Sequence, residues 1–252
     1  MKLICLLRVK NAKLTIKECL SKLSQLCDEI VIVDNGSTDG TLSFCKKFPK
    51  VVVIEKTVGF DEGRDKILAH ELAKRRKPDW LLWLDADEIF ERIATRQILE
   101  KYMSQPKLNL VKFRMFNFWL SRRYYRVDGI WRRYTAQPQR AMWRNSPGAY
   151  FRNLKFHNGG IQGVKGKAVT SYLRIKHHGY IDKRQIISKS KAYQELENDP
   201  NASKSLPLDL RDKHIKLQKW QDGYLAALYD WSYRGMIEFG YKLKQLFPDF
   251  KP

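Results

Sequence analysis

The sequence predicts an α/β fold: a mostly parallel sheet with helices on both faces, followed by a C-terminal helical segment. Three observations carry that expectation. Short apolar runs alternate with amphipathic stretches from Leu3 to Leu84, and a polar residue stands at the exit of most runs. One run, Trp80-Leu81-Leu82-Trp83-Leu84, stops on the carboxylates Asp85, Asp87 and Glu88. A short continuous apolar run reads as a strand buried on both faces. In an open α/β sheet, strand ends face a common crevice where ligands bind.

Taken in order, Leu3 to Leu7 reads as the first strand, with Arg8 and Asn11 at its exit. A helix starts near Thr15, because Thr15-Ile16-Lys17-Glu18 has capping-box spacing and Ile16, Cys19, Leu20, Leu23 and Leu26 recur at helical intervals. Ile30 to Val33 is the second strand and ends on Asp34. The turn Asn35-Gly36-Ser37-Thr38-Asp39-Gly40-Thr41 then offers glycines and capping side chains. Val51 to Ile54 forms a third strand, and Glu62 to Arg76 a helix with Ile67, Leu68, Leu72 and Ala73 turned inward. Trp80 to Leu84 is the fourth strand.

After about residue 105 the pattern changes. Val111, Phe113 and Met115 alternate with polar neighbours, which predicts a strand with one exposed face. From Phe116 to Tyr134 aromatic residues and arginines interleave, too polar for a core and too aromatic for a plain loop. Glycines mark a loop-rich section up to Thr170. Tyr172 to Lys176 is a last short strand running into His177-His178-Gly179-Tyr180, and the remainder reads as helical, with a basic aromatic helix pair over His214 to Phe247.

The chain has 252 residues, 43% of them hydrophobic and 12% aromatic, which excludes a disordered polymer. With 48 Lys and Arg against 27 Asp and Glu, the net charge of +21 favours polyanions: phosphorylated sugars, anionic lipid or nucleic acid. Cys5, Cys19, Cys27 and Cys45 lack metal spacing and read as reduced, buried fillers, which suits a reducing, cytoplasmic compartment. The apolar run at the N-terminus is too short for a signal peptide or a membrane span. Membrane contact is therefore expected to be peripheral, on the inner face. Asp85 and Asp87 can turn toward one small volume, and hard oxygen ligands packed this closely suit Mg²⁺ or Mn²⁺.

Four motifs, in this order, resemble the inverting glycosyltransferases of family 2: Asp34-Asn35-Gly36-Ser37-Thr38-Asp39-Gly40-Thr41 after a strand, Arg64 at a helix start, the D-x-D element Asp85-Ala86-Asp87, and His177-x-Gly179-Tyr180. The resemblance covers about residues 1 to 195. It implies a GT-A type, Rossmann-like fold with a nucleotide-sugar-binding half over 1–105 and an acceptor-binding half of the same domain over 106–195; the C-terminal helical extension expected over 196–252 lies outside it. It also implies that Asp34 binds the donor nucleobase, that Arg8 and Asn11 line the same pocket, and that Arg64 supports the nucleotide. By the same resemblance Asp85 is shared between ribose and metal, while Asp87 and His177 ligate Mn²⁺ or Mg²⁺. Glu88 is read as opening the next turn and not as a ligand, and His178 as the neighbour facing away, since adjacent strand residues face opposite sides.

Two departures stand out. Arg64-Asp65 replaces the Arg-Asn of many relatives, and His157-Asn158 replaces their His-Glu. An inverting reaction needs a base for the acceptor hydroxyl, and Asp128 and His157 are the two candidates. The implied partners are a UDP- or GDP-sugar and a saccharide or lipid-linked acceptor, held in part by the arginine and aromatic stretch. The basic aromatic C-terminal helices would pack on the domain, meet an anionic membrane surface, or form a homodimer contact; nucleic acid is the least favoured partner. Two other classes compete with a transferase: a nucleotidyltransferase acting on a sugar phosphate, and a non-enzymatic polyanion-binding module.

Overall fold

The structure is a computed structural model and describes residues 1–155, 159–197 and 214–246. In chain order its elements are β1 (Leu3–Val9), α1 (Ile16–Leu26), β2 (Glu29–Asp34), α2 (Thr41–Cys45), β3 (Val51–Lys56), α3 (Glu62–Lys74), β4 (Trp80–Asp85) and β5 (Glu88–Phe90). There follow α4 (Arg96–Met103), β6 (Leu108–Asn117), β7 (Tyr124–Arg126), α5 (Gly129–Ala136), β8 (Pro138–Arg144), β9 (Lys167–His177), α6 (Lys183–Glu197), β10 (Leu217–Lys219) and α7 (Tyr224–Leu246).

Among the described residues one large sheet runs β3-β2-β1-β4-β8-β6-β9-β5. The half from β3 to β4 is parallel throughout; β8 then runs antiparallel to both β4 and β6, β9 lies parallel to β6, and β5 closes the far edge antiparallel to β9. The connection between β4 and β5 is only Ala86-Asp87, yet three strands lie between them in the sheet. Three virtual Cα bonds reach about 11 Å, whereas four strand spacings in a flat sheet need about 19 Å. The sheet must therefore curl, and its curl brings the exit of β4 next to the end of β9.

Strands β1, β2 and β4 are buried on both faces, as their continuous apolar runs predict, whereas the edge strand β3 is only partly buried. Leu3, Cys5 and Leu7 of β1 face Leu20 and Leu23 of α1, while Ile4 and Leu6 face Ala69 and Ala73 of α3. All four cysteines are buried and free. Among the described residues no helix is long and apolar enough to cross a membrane.

Several expectations are corrected. The Thr15 side chain does not cap α1; its hydroxyl donates to Ala12 O instead. The inward positions of α3 are Gly63, Asp65, Lys66, Ala69, His70 and Ala73, with Ile67, Leu68 and Leu72 only partly buried, because the helix faces polar groups at the strand exits as well as the core. β6 does not keep an exposed face: Arg114 is buried, with Nε donating to Ala136 O at 2.7 Å and Nη2 pairing with Glu238 of α7 at 2.9 Å. The section read as loops contains α5 and β8.

The stretch from Phe116 to Tyr134 supplies several core side chains, against expectation, although Leu120, Arg122, Arg123, Tyr124, Ile130, Arg132 and Arg133 are exposed. Phe116, Phe118, Tyr125 and Trp220 form one aromatic cluster, and Trp119, Trp131, Tyr180 and Ile186 form another. The Arg126 guanidinium lies over Trp119 at 4.5 Å and Trp131 at 5.0 Å. Burial of a planar cation between indole rings lets a basic sequence build a core. The C-terminal helix pair is instead the short strand β10, paired with β7, and the single helix α7; Phe247 lies outside the described residues. Arg174 of β9 ties α7 to the sheet by bonding Glu91 and Asp230 at once.

Candidate active site

Parallel pairing of β1 with both β2 and β4 brings their carboxyl ends together: Arg8 is in register with Asp85, and Val9 with Asp34. The Asp34 carboxylate is buried and accepts the Ser37 N–H at 3.1 Å, so it stiffens the turn that follows β2. Asn11 is in the left-handed region at φ 46°. Its amide oxygen accepts the Thr38 N–H at 2.8 Å and its own N–H donates to Ser37 Oγ at 2.9 Å, which stitches the two exit loops together.

Arg64 opens onto the same edge. Its guanidinium donates to Val58 O at 2.8 Å and Gly59 O at 2.9 Å and pairs with Asp65 at 2.8 Å. Asp65 is itself buried and accepts from Asn35 Nδ2 at 3.2 Å, so this carboxylate links the turn after β2 to the arginine. The caps agree with that placement, since Asp61 accepts the Arg64 N–H at 2.9 Å and starts α3 there.

Asp85 and Asp87 point to different partners. Asp85 lies between two arginines, with Arg8 Nε at 3.3 Å and Arg140 Nη2 at 3.0 Å. Arg140, from β8, also forms a short bidentate pair with Glu88. The Glu88 carboxylate, fully buried, accepts the Asp85 N–H at 3.0 Å. Burial pushes the Glu88 carboxyl up, and Arg140 opposes this only in part. Glu88 is thus not a solvent turn residue, as the sequence suggests, but the first residue of β5, in register with His177.

Asp87 faces β9 and α6. Its Oδ2 is 3.4 Å from His177 Nε2 and 2.9 Å from Lys189 Nζ. Burial raises its pKa, but the charges of Lys189 and His177 outweigh burial and hold the carboxyl well below its ordinary range. His177 Nδ1 is 2.6 Å from Asn117 Oδ1. An N–H on Nδ1 satisfies that carbonyl and turns the Nε2 edge of the ring toward the Asp87 carboxylate, which Lys189 also faces. The next glycine leaves room there: a Cβ on Gly179 would come within 2.5 Å of His177 Nε2 and 2.7 Å of Asp87 Oδ2, and would also strike Lys189 Nζ. Asp87, Glu88 and His177 each offer a ligand atom within 4.8 Å of the others. A mixed carboxylate and imidazole set fits Mn²⁺ or Mg²⁺ when phosphate oxygens complete it. His178, the alternate residue, turns the other way onto Phe118 and Arg122, and burial lowers its pKa to about 3.

The structure thus brings Arg8, Asn11, Asp34, Arg64 and Asp85 to one strand edge and places Asp87 with His177 beside it. It does not bring Asp128 into that group. Asp128 precedes α5, pairs with Arg126 and accepts the Lys216 N–H at 3.1 Å. Burial raises its pKa, but the bonds from Arg126 and Lys216 prevail and lower it. His157 lies outside the described residues. The sequence reading missed Arg140 and Lys189, and Asn117 behind His177. Arg140 sits in a strand that was read as loop, and Lys189 lies on a helix with no motif of its own.

Polar loops at parallel strand ends thus stand beside a carboxylate and imidazole cluster in an α/β domain. Residues 6–162 match the family model described as Glycosyl transferase family 2, and the chain belongs to that family. An uncharacterized glycosyltransferase of Rickettsia conorii is 32% identical over 79 residues, covering 31% of this chain and 26% of that protein. The chain spans between about a quarter and a little over a third of the length of the curated relatives it matches. Among solved structures, residues 1–349 of S. aureus TarS in complex with UDP align at 17% identity and TM-score 0.46, covering 68% of this chain and 61% of that one. The mannosyltransferase PcManGT of Pyrobaculum calidifontis, in complex with GDP-Man and Mn²⁺, aligns at 16% identity and TM-score 0.46, covering 82% and 66%.

Proposed function

We propose that the chain moves a sugar from a UDP- or GDP-sugar to a hydroxyl of a saccharide or lipid-linked acceptor, with inversion and with Mn²⁺ or Mg²⁺. The observation that carries this reading is the cluster of Asp87, Glu88 and His177, whose ligand atoms lie within 4.8 Å of one another. In this reading Asp34 and Asn11 hold the nucleobase end of the donor. Arg64 fixes the loop at Val58 and Gly59 against it. Asp85 is oriented by Arg8 and Arg140, ready for ribose hydroxyls. Asp87 and His177 would hold the ion, with Asn117 fixing the imidazole tautomer. The bound ion would neutralise charge on the leaving diphosphate. Asp128 and His157 are the candidate bases; the pairing of Asp128 with Arg126 makes it a weak proton acceptor in its present setting.

The family match supports a transferase, and the exposed apolar side chains of α7 support peripheral contact with an anionic membrane. Leu225, Tyr229, Met236 and Phe239 are exposed on a chain of net charge +21, the composition of a helix that lies in a headgroup layer.

The test is thermal unfolding of the full chain with UDP- and GDP-sugars, with and without Mn²⁺ or Mg²⁺. A ligand at a hundred times its Kd stabilises by about 2.7 kcal/mol. Stabilisation that requires metal and vanishes in Asp87→Ala is the expected result. No response to any nucleotide sugar, or pyrophosphate release from a nucleoside triphosphate and a sugar phosphate, would overturn the reading.

A further inference from the structure

A second cavity, of about 760 Å³, lies between β7, α5, β10 and α7. That volume is within the range of small-molecule sites. Its lining includes Arg132, Lys216 and Arg234 together with Asp128, Gly129 and Ile130, so the first turn of α5 opens onto it. The positive end of a helix and its unbonded N–H groups favour an anion there.

Arg234 is the more telling group. It is only 2% exposed, its Nη2 reaches Tyr125 Oη at 3.4 Å and Gln218 Oε1 at 3.3 Å, and its Nε has no hydrogen-bond partner among the described residues. Its guanidinium also faces the Tyr233 ring at 5.2 Å and the Phe116 ring at 5.9 Å, but a buried guanidinium without a carboxylate leaves room for a ligand that supplies the charge. Among the described residues no acid pairs with Arg132, Lys216 or Arg234. The single acid of the lining, Asp128, is already matched by Arg126.

The cavity adjoins the transfer site through aromatic contacts. Trp131, which lines it, meets Tyr180 edge-on at 5.3 Å, and Tyr180 meets His177 edge-on at 5.0 Å. One phenol ring therefore separates the cavity wall from the metal-ligating imidazole.

We propose that this cavity binds the anionic group of the acceptor, a phosphomonoester or carboxylate carried on a saccharide, and so holds the acceptor beside the donor. The inference rests on the transferase reading for the word acceptor, but not for the anion site. Arg234 and the α5 N-terminus would bond the anion directly, while Lys216 and Arg132 would guard the mouth.

Calorimetric titration of the full chain with glucose 6-phosphate, glucuronate and glucose tests it, with UDP and Mn²⁺ titrated in parallel. Glucose 6-phosphate is expected to bind at least about tenfold tighter than glucose, with glucuronate showing whether a carboxylate suffices. Lys216→Glu and Arg132→Glu, both at exposed positions, are each expected to weaken glucose 6-phosphate about tenfold without changing UDP binding. Arg234→Gln should weaken it more, and the two surface variants decide the matter where Arg234→Gln fails to fold. Equal binding of the charged and neutral sugars, or binding indifferent to both surface variants, overturns the proposal. Charge-dependent sugar binding in a chain that ignores UDP would overturn the transferase reading and leave the anion site standing.

Discussion

Lys189 Nζ and Asp87 Oδ2 stand 2.9 Å apart, so a lysine from α6 neutralises the carboxylate that the family motif assigns to the metal. An ammonium and a divalent ion cannot share one carboxylate oxygen at full strength. Lys189→Met is therefore expected to tighten Mn²⁺ binding by the nucleotide-free chain roughly tenfold, since the opposing charge within contact distance is removed. Titration calorimetry reads this, and unchanged or weaker Mn²⁺ affinity would count against Asp87 as a ligand.

Gly179 tests the same space by filling it. A methyl group there first meets the side-chain ends of Lys189, His177 and Asp87, all within 2.7 Å, so Gly179→Ala should displace these side chains at modest cost in thermal stability. Metal-dependent stabilisation by a UDP-sugar should nonetheless fall at least about tenfold. A variant that keeps wild-type metal dependence would place the ion elsewhere.

His70 predicts a slope of stability with pH. It is 3% exposed, edge-on to Trp143 and Phe151, and burial lowers its pKa to about 4 from 6.5. The folded pKa lies below the unfolded value, so the unfolded chain takes up the proton first as pH falls. Stability from the neutral ring is present above about pH 6.5 and is lost as pH falls toward 4, by as much as about 3 kcal/mol. Urea unfolding across that range should show a flatter profile in His70→Phe; identical slopes in the two proteins would refute the assignment.

Arg174 holds α7 onto the sheet. It is 3% exposed, bonds Glu91 and Asp230, and lies 4.0 Å from the Trp220 ring centroid. Arg174→Met leaves two buried carboxylates without their cation, at a cost of about 3 to 5 kcal/mol. A loss under about 1 kcal/mol in urea unfolding would mean that the cluster is open to water.

The parallel half was legible because β1, β2 and β4 are buried on both faces, and such strands have no choice but continuous apolar runs. β8 was not. It pairs with β4 and β6, yet its chain carries Gln139, Arg140 and Arg144, whose side chains end on Gln137, Asp85, Glu88 and Asn109. Those charges are satisfied by partners remote in sequence, which no local pattern reveals. Phe116 to Tyr134 misled for a related reason: Arg126 looks like solvent chemistry until Trp119 and Trp131 enclose it. Asp85, Asp87 and His177 were legible through their motifs, while Glu88 was demoted because its burial depends on β9 and its counter-charge on Arg140.

The register that sets Glu88 against His177 also orders events during synthesis. The ribosome delivers β1 to β4 first, and they can pair among themselves as soon as they emerge. β5 cannot join them, because among the described residues its only partner in the sheet is β9. Until β9 arrives, the nascent chain carries a short apolar edge, Glu88-Ile89-Phe90, with its hydrogen bonds unmade, an invitation to pair with a neighbouring chain. The Asp87, Glu88 and His177 cluster and the protection of that edge are completed by the same strand.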